Sequence, residues 1–305
     1  MKRSLLILVF AFAPACEGTV DSTDVASSQQ DLEAQIPPNA HVFWAKGNSH
    51  GGGGSPNLIY HGGPVMTGGA YVEPIFWGTS WSNSSFVSDK ITGLQSFYVG
   101  MSGSSYEATN GEYTDSTGAH VGTRITFGTS HTDLSAAVRS GSKTAPILAE
   151  ACAQASTLVA NGYYPVYTDS PRGHAGYCAW HSDGTCPNGT QIQFAFFFNL
   201  DGDSGCDPQD TSGKHSQGLA ALANVSGHEL SEARTDPATP GAWYDASGAE
   251  NGDKCAWSFG TPLLSFSNGT QWKVQGNWSN AAFTAGTGYA NRGGQLGCLD
   301  GGNFR

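Results

Sequence analysis

Asn224-Val225-Ser226-Gly227-His228-Glu229-Leu230-Ser231-Glu232-Ala233-Arg234-Thr235-Asp236-Pro237 is the stretch on which the reading of this chain turns. Leu219, Leu222, Ser226, Leu230 and Ala233 recur at steps of three and four, the spacing of one mostly apolar helix face. Pro237 stops the helix, and Asp236 before it is pushed out of helical geometry. The pattern predicts a helix over roughly residues 216 to 235. His228 and Glu232 lie one turn apart and project from the same face, and Glu229 sits at its edge.

Upstream the elements alternate. Ala70 to Gly78 is apolar and β-rich and predicts a buried strand. Ser82 or Asn83 can cap a following helix with Phe86, Ile91, Leu94, Phe97 and Tyr98 on its apolar stripe. Strands are expected at Val121 to Phe127, Pro165 to Thr168 and Gln191 to Phe198. The last is read as central, because its second half is apolar on both faces. A further helix is expected over Ala145 to Ala160, with Pro146 in its first turn. Short strands are expected around 263 to 274. The order predicts an α/β or α+β fold: one domain, a mixed sheet with packed helices, compatible with a zincin-like layout in which a sheet lies above the helix of His228.

The spacing His228-Glu229-x-x-Glu232 is similar to the zinc-protease pattern His-Glu-x-x-His, with a carboxylate at the second ligand position. By itself it is a short pattern, and chance matches are mostly solvated helix faces. Its continuation is more specific. Thr235-Asp236-Pro237, Ala242-Trp243-Tyr244-Asp245 and Glu250-Asn251-Gly252-Asp253-Lys254-Cys255 follow closely. With Tyr60-His61-Gly62-Gly63-Pro64-Val65, Pro74-Ile75-Phe76-Trp77-Gly78, Gly176-Tyr177-Cys178-Ala179-Trp180-His181 and Trp278-Ser279-Asn280-Ala281-Ala282, the chain resembles the EXORDIUM, or phosphate-induced protein 1, family of plant cell walls and of secreted bacterial and fungal proteins. The likeness runs from residue 57 to residue 298 as separated motifs. Plant members look degenerate at the His-Glu stretch, whereas bacterial ones tend to keep it. The resemblance therefore implies either a surface protein without catalysis or one with an intact site.

The start of the chain points to export. Lys2 and Arg3 precede the apolar run Leu5 to Ala13, as in a secretory signal covering residues 1–15. Ala13-Pro14-Ala15-Cys16 resembles a bacterial lipoprotein cleavage box, with Ala where Leu is more usual. Lipidation of Cys16 is expected, with an ordinary signal cut nearby as the alternative. Residues 16–56 are rich in Ser, Thr, Asp, Gln, Pro and Gly and are expected to form a flexible tether, with the folded region starting near residue 41 or 57. The expected location is an outer membrane or cell surface, or else the secreted fraction. The membrane would be touched only through Cys16.

The net charge of −11 without basic clusters excludes nucleic acid as an expected partner. No Gly-x-Ser-x-Gly elbow, phosphate-binding Gly-Lys-Ser/Thr loop or dinucleotide fingerprint occurs in a suitable context. The eight Trp could form a sugar-stacking surface, although core packing is the commoner use. Cys16 aside, Cys152, Cys178, Cys186, Cys206, Cys255 and Cys298 make an even number in an exported chain, which favours three disulfides. Pairing cannot be deduced from spacing; the family-like C-terminal motifs suggest Cys255 with Cys298.

One divalent metal is expected, zinc ahead of calcium, held by His228 and Glu232. Glu229 is the expected general base. His181 is one candidate for the third ligand, because the family-like motif sets it beside a disulfide cysteine in what reads as a loop. Asp236, Glu250 and Asp253 form an acidic group that could supply the third ligand, orient His228 or bind calcium. His174 is a weaker candidate. Asp201, Asp203 and Asp207 read as a polar turn rather than a calcium loop. The expected function is an exported, surface-tethered metal-dependent hydrolase, above all a zinc peptidase acting on a peptide or cell-wall substrate. The alternative is a non-catalytic surface protein of the EXORDIUM type, with a structural or carbohydrate-binding site.

Overall fold

The computed structural model describes residues 36–48, 56–160 and 162–302. The expected signal sequence, Cys16, the tether up to residue 35 and the glycines at 51 to 54 lie outside these residues. The described residues form one compact unit. A mixed sheet is its frame. Its strands are β1 (His41–Trp44), β3 (Ala70–Val72), β4 (Ile75–Trp77), β5 (Ile125–Phe127), β6 (His131–Asp133), β7 (Gly162–Pro171), β8 (Tyr177–Thr185) and β9 (Gln191–Asn199); the two-residue β2 (Ile59–Tyr60) pairs elsewhere. β7 and β9 run parallel at the centre. β8 is antiparallel to β9, and β1 is antiparallel to β8 at the edge. On the other side β3 and β4 are two pieces of one interrupted strand, broken at Glu73-Pro74, and both pair with β7. β7, β8 and β9 are buried along most of their length, as strands covered on both faces must be.

Besides the four-residue helical turns Ser84–Val87, capped by Asn83, and Ser105–Ala108, the helices among the described residues are α1 (Lys90–Met101), α2 (Thr144–Gln154), α3 (Gln217–Thr235) and the short α4 (Asn280–Ala285). Ser216 caps α3: its Oγ accepts from Leu219 N–H at 3.1 Å and donates to Asp89 at 2.5 Å. Asp236 leaves helical geometry at φ −142°, ψ 67°, the expected effect of Pro237. The sequence shows one apolar face on α3; the structure buries every residue from Gly218 to Thr235. β8 and β9 cover one side of the helix and α1 another, and the segment after residue 250 closes the rest. Helix α1 approaches closely because Gly93 has no side chain: a Cβ there would come within 2.2 Å of Leu219. The polar side of α3 therefore meets protein instead of water, which is where its site arises.

Several expectations are corrected in extent. The second helix ends at Gln154 rather than Ala160, and the strand expected from Val121 begins at Ile125. The motif Gly176–His181, read as a loop, lies largely in β8. The expected tether boundary at residue 56 is too late, since His41–Trp44 is an edge strand of the sheet. Its burial comes from tertiary pairing with β8.

The six cysteines form Cys152–Cys186, Cys178–Cys206 and Cys255–Cys298. The first two tie β8 and its end to α2 and to the loop after β9. The third, the pair suggested by the resemblance, fixes the turn Asp253–Cys255 against the C-terminal strand Leu296–Leu299.

Candidate metal centre

Two strands, one helix and one turn place the candidate residues. Strands β1 and β8 pair with His41 opposite His181, and the two rings stack at 4.8 Å. Alternation along β8 sends Trp180 to the opposite face, where its indole donates to Gly141 O just before α2. His181 instead faces α3. Two residues beyond His41, Phe43 lays its ring on His228 at 3.9 Å and on Trp257 at 4.7 Å.

From α3, His228 Nε2 stands 3.0 Å from Glu232 Oε2. Both atoms are buried, and neither makes a hydrogen bond. Two facing buried polar atoms without partners are costly unless a third group sits between them. Asp253 Oδ1 is 3.9 Å from His228 Nε2, and its side chain is 25% exposed, so the group opens to solvent on that side. Asp253 N–H donates to Glu232 Oε1 at 2.9 Å, locking the turn to the helix. Gly252 makes the approach possible: a Cβ there would lie 2.7 Å from His228 Nδ1 and 2.9 Å from Glu232 Oε1.

A second group of contacts centres on His181. Its Nδ1 bonds Glu229 Oε2 at 2.9 Å, and Glu232 Oε2 lies 3.8 Å away. Its Nε2 makes no hydrogen bond and faces Glu250 Oε2 at 3.8 Å. Glu250 Oε2 is also 2.6 Å from His41 Nδ1. Three ligand groups result: His228 with Glu232 and Asp253, His181 with Glu229 and Glu232, and His41 with His181 and Glu250. In each, one donor atom per residue lies within 4.8 Å of the others, so each could hold a metal ion.

The electrostatics follow from burial. It pushes Glu232 up to about 8 and Asp253 to about 7, with Glu232 itself adding to the Asp253 shift. Burial, then the neighbouring Glu232, also raises Glu229 and Glu250 far above the usual carboxylate range. It lowers His228 to about 4 and His181 well below its ordinary value. Without a cation the cluster is therefore driven towards neutrality; a divalent ion reverses the preference by favouring carboxylate over carboxylic acid.

Gln275 sets the His228 ring. Its Oε1 accepts from Trp257 N–H at 3.1 Å, and its Nε2 donates to Gly252 O and to His228 Nδ1, both at 2.9 Å. A neutral His228 so held carries its proton on Nε2. An ion at Nε2 requires the other tautomer, and with it a turned Gln275 amide. His181 differs: an ionised Glu229 accepts from Nδ1–H, the tautomer that leaves Nε2 a bare lone pair.

His181, His228, Glu229, Glu232, Glu250 and Asp253 thus lie together from separate parts of the chain. Asp236 does not join any of the three groups; its Oδ1 accepts from Ala242 N–H and closes the turn after the helix. His174 is exposed on the loop before β8. Asp203 pairs with Arg172 and Asp201 with Lys90, in agreement with a structural turn. His41, Phe43 and Gln275 are the neighbours that sequence reasoning missed. The only signal for the first two is the apolar run around His41; Gln275 has none. No family model, curated protein or solved structure matches the chain.

Proposed function

We propose that this protein is an exported metal-dependent hydrolase, a peptidase in the first instance, with zinc held by His228, Glu232 and Asp253. The observation that carries the reading is the buried pair His228 Nε2 and Glu232 Oε2, 3.0 Å apart and without hydrogen bonds. Ligand atoms on a four-coordinate zinc lie about 3.4 Å apart for bonds near 2.0–2.1 Å, close to that separation. A helix carrying the ligands against a mixed sheet also suits the zincin-like layout, and the resemblance to bacterial EXORDIUM-type proteins with an intact His-Glu stretch points the same way.

Bound there, the ion would polarise water and a substrate carbonyl. Glu229 keeps Oε1 free of hydrogen bonds and is the group to accept the proton of the attacking water. His181 holds Glu229 in place through its bond to Oε2. Asp253 lies on the side through which solvent reaches the site.

The second reading, a surface protein with a structural ion, is favoured by one observation: Phe43 covers His228, and His41 and Asp253 are the only parts of the three ligand groups with substantial exposure. Metal content and turnover of the purified protein separate the two. Glu229→Gln is expected to keep its metal and lose at least about 100-fold in turnover, the scale of a lost general base. A metal-replete preparation with no stoichiometric ion would sink the hydrolase reading. Retained metal with no hydrolysis of any peptide or ester would favour the structural one.

A further inference from the structure

We propose that His41, His181 and Glu250 form a second divalent-cation site, whose ligands are all distinct from His228, Glu232 and Asp253. His181 is held as a metal-ligating histidine is: Nδ1–H donates to the Glu229 carboxylate at 2.9 Å, which fixes the ring and directs the Nε2 lone pair at the site. That Nε2 is buried and has no hydrogen-bond partner. Glu250 Oε1 is likewise buried and without a partner, while its Oε2 lies 2.6 Å from His41 Nδ1 and 3.8 Å from His181 Nε2. These separations bracket the spacing of about 3.4 Å between ligands on a four-coordinate ion, and a small turn of the Glu250 carboxylate equalises them. Two imidazoles and one carboxylate suit zinc or a similar transition ion better than calcium, which takes oxygen.

Charge supplies a second argument. Glu229, Glu232, Glu250 and Asp253 bring four carboxylates into one volume, and their ion pairs among the described residues are with histidines. The buried cations nearby, Arg234 and Lys254, pair with Glu107 and Asp245. One divalent ion offsets half of the four charges; two offset all of them. The second ion would also tie β1 to β8 and to the segment after α3, reinforcing the edge pairing, the His41–Glu250 contact, the stack of Phe43 on Trp257 and the Trp257 indole bond to Trp44 O.

The test is stoichiometry. The full chain is stripped with chelator, loaded with zinc, separated from free metal, and its zinc counted by mass spectrometry. Wild type is expected to hold two equivalents, and His41→Ala and Glu250→Gln one each. A wild type that holds no more zinc than His41→Ala overturns the proposal, whatever the total, and leaves His41–Glu250 as an ion pair only. His41 has a side chain 38% exposed, so its replacement is compatible with folding even where Glu250→Gln is not. Hydrogen exchange gives an independent reading. Zinc should slow the amides of residues 41–44 at least tenfold in wild type and not in His41→Ala; unchanged exchange in wild type also overturns the proposal. Loss of the His228 site alone leaves this second equivalent in place, so the two readings fail separately.

Discussion

Gln275→Glu should tighten zinc binding at His228. In the native arrangement an ion on Nε2 moves the ring proton to Nδ1, so the Gln275 amide must turn to accept it. Turning strands Trp257 N–H, which now donates to the amide at 3.1 Å, and takes from Gly252 O its 2.9 Å bond to the amide, leaving it the bond from Cys255 N–H at 3.0 Å. The unpaired Trp257 N–H costs about 1–3 kcal/mol and the lost bond to Gly252 O about 0.5–1.5, so the switch weakens ion binding by about 1.5–4.5 kcal/mol. A carboxylate accepts from Trp257 N–H and from His228 Nδ1–H at once and needs no switch. The variant is therefore expected to bind zinc at least about tenfold more tightly, equivalent to about 1.4 kcal/mol. Its apoprotein should lose about 0.5–1.5 kcal/mol of stability, the scale of one hydrogen bond, because Gly252 O keeps only the bond from Cys255 N–H. Gln275→Met separates tautomer from charge. It removes the donor facing Nδ1 without adding a carboxylate, so its affinity should fall between wild type and Gln275→Glu. Competition with a chelator measures affinity, denaturant unfolding measures stability, and nitrogen chemical shifts of His228 report the tautomer. If folded Gln275→Glu binds zinc no more tightly than wild type, Nε2 of His228 is not the ligand and the reasoning fails.

Three further outcomes are expected. Arg234 and Glu107 form a fully buried pair at the end of α3, so Arg234→Met alone should cost about 3–5 kcal/mol in denaturant unfolding, while Arg234→Met with Glu107→Leu recovers much of that loss; a double variant as unstable as the single one would refute the pairing argument. Burial, with Asp133 beside it, raises Glu150 to about 7. A raised carboxyl keeps its proton longer in the folded than in the unfolded chain, so stability falls as pH climbs from 4.5 through 7. Glu150→Gln should flatten that fall, by on the order of 1 kcal/mol for this partly solvated group, and thermal melts at pH 5 and pH 8 would show equal slopes if the idea is wrong. Cys16→Ser should move the exported protein from the detergent to the aqueous phase on partitioning; equal partitioning of both forms would remove the lipid anchor.

What could be read beforehand depended on how local its cause was. The helix of His228 was legible because its cap, period and terminating Pro237 are neighbours in sequence. The strand Gln191–Phe198 was legible because the alternating Gln191-Ile192-Gln193 leads into Phe194–Phe198, a short run apolar on both faces. Strand β8 was not, because Cys178, His181, Ser182 and Gly184 interrupt its apolar pattern, and its burial comes from β1, β9 and α3. His228, Glu229 and Glu232 follow from helix geometry. His41 and Gln275 do not, since no period links them to the helix and only the folded chain brings them to its rings. The hydrogen bond that selects the His228 tautomer is likewise invisible in the spacing of residues.

The pairing of His41 with His181 also imposes an order of events. A chain that emerges from its N-terminus presents His41–Trp44 long before β8 exists, so the strand that appears early must wait for its partner. Until then Val42 and Phe43 are solvent-facing apolar groups, and the imidazole of His41 is an ordinary surface base. Asp253 and Gln275 arrive later still, when most of the domain is out. The ligand set therefore assembles at the close of folding, and an ion offered to the growing chain finds scattered single ligands in place of a site. On the proposed reading, metal choice is then made where the finished chain folds, and the ions available there would decide which one it carries.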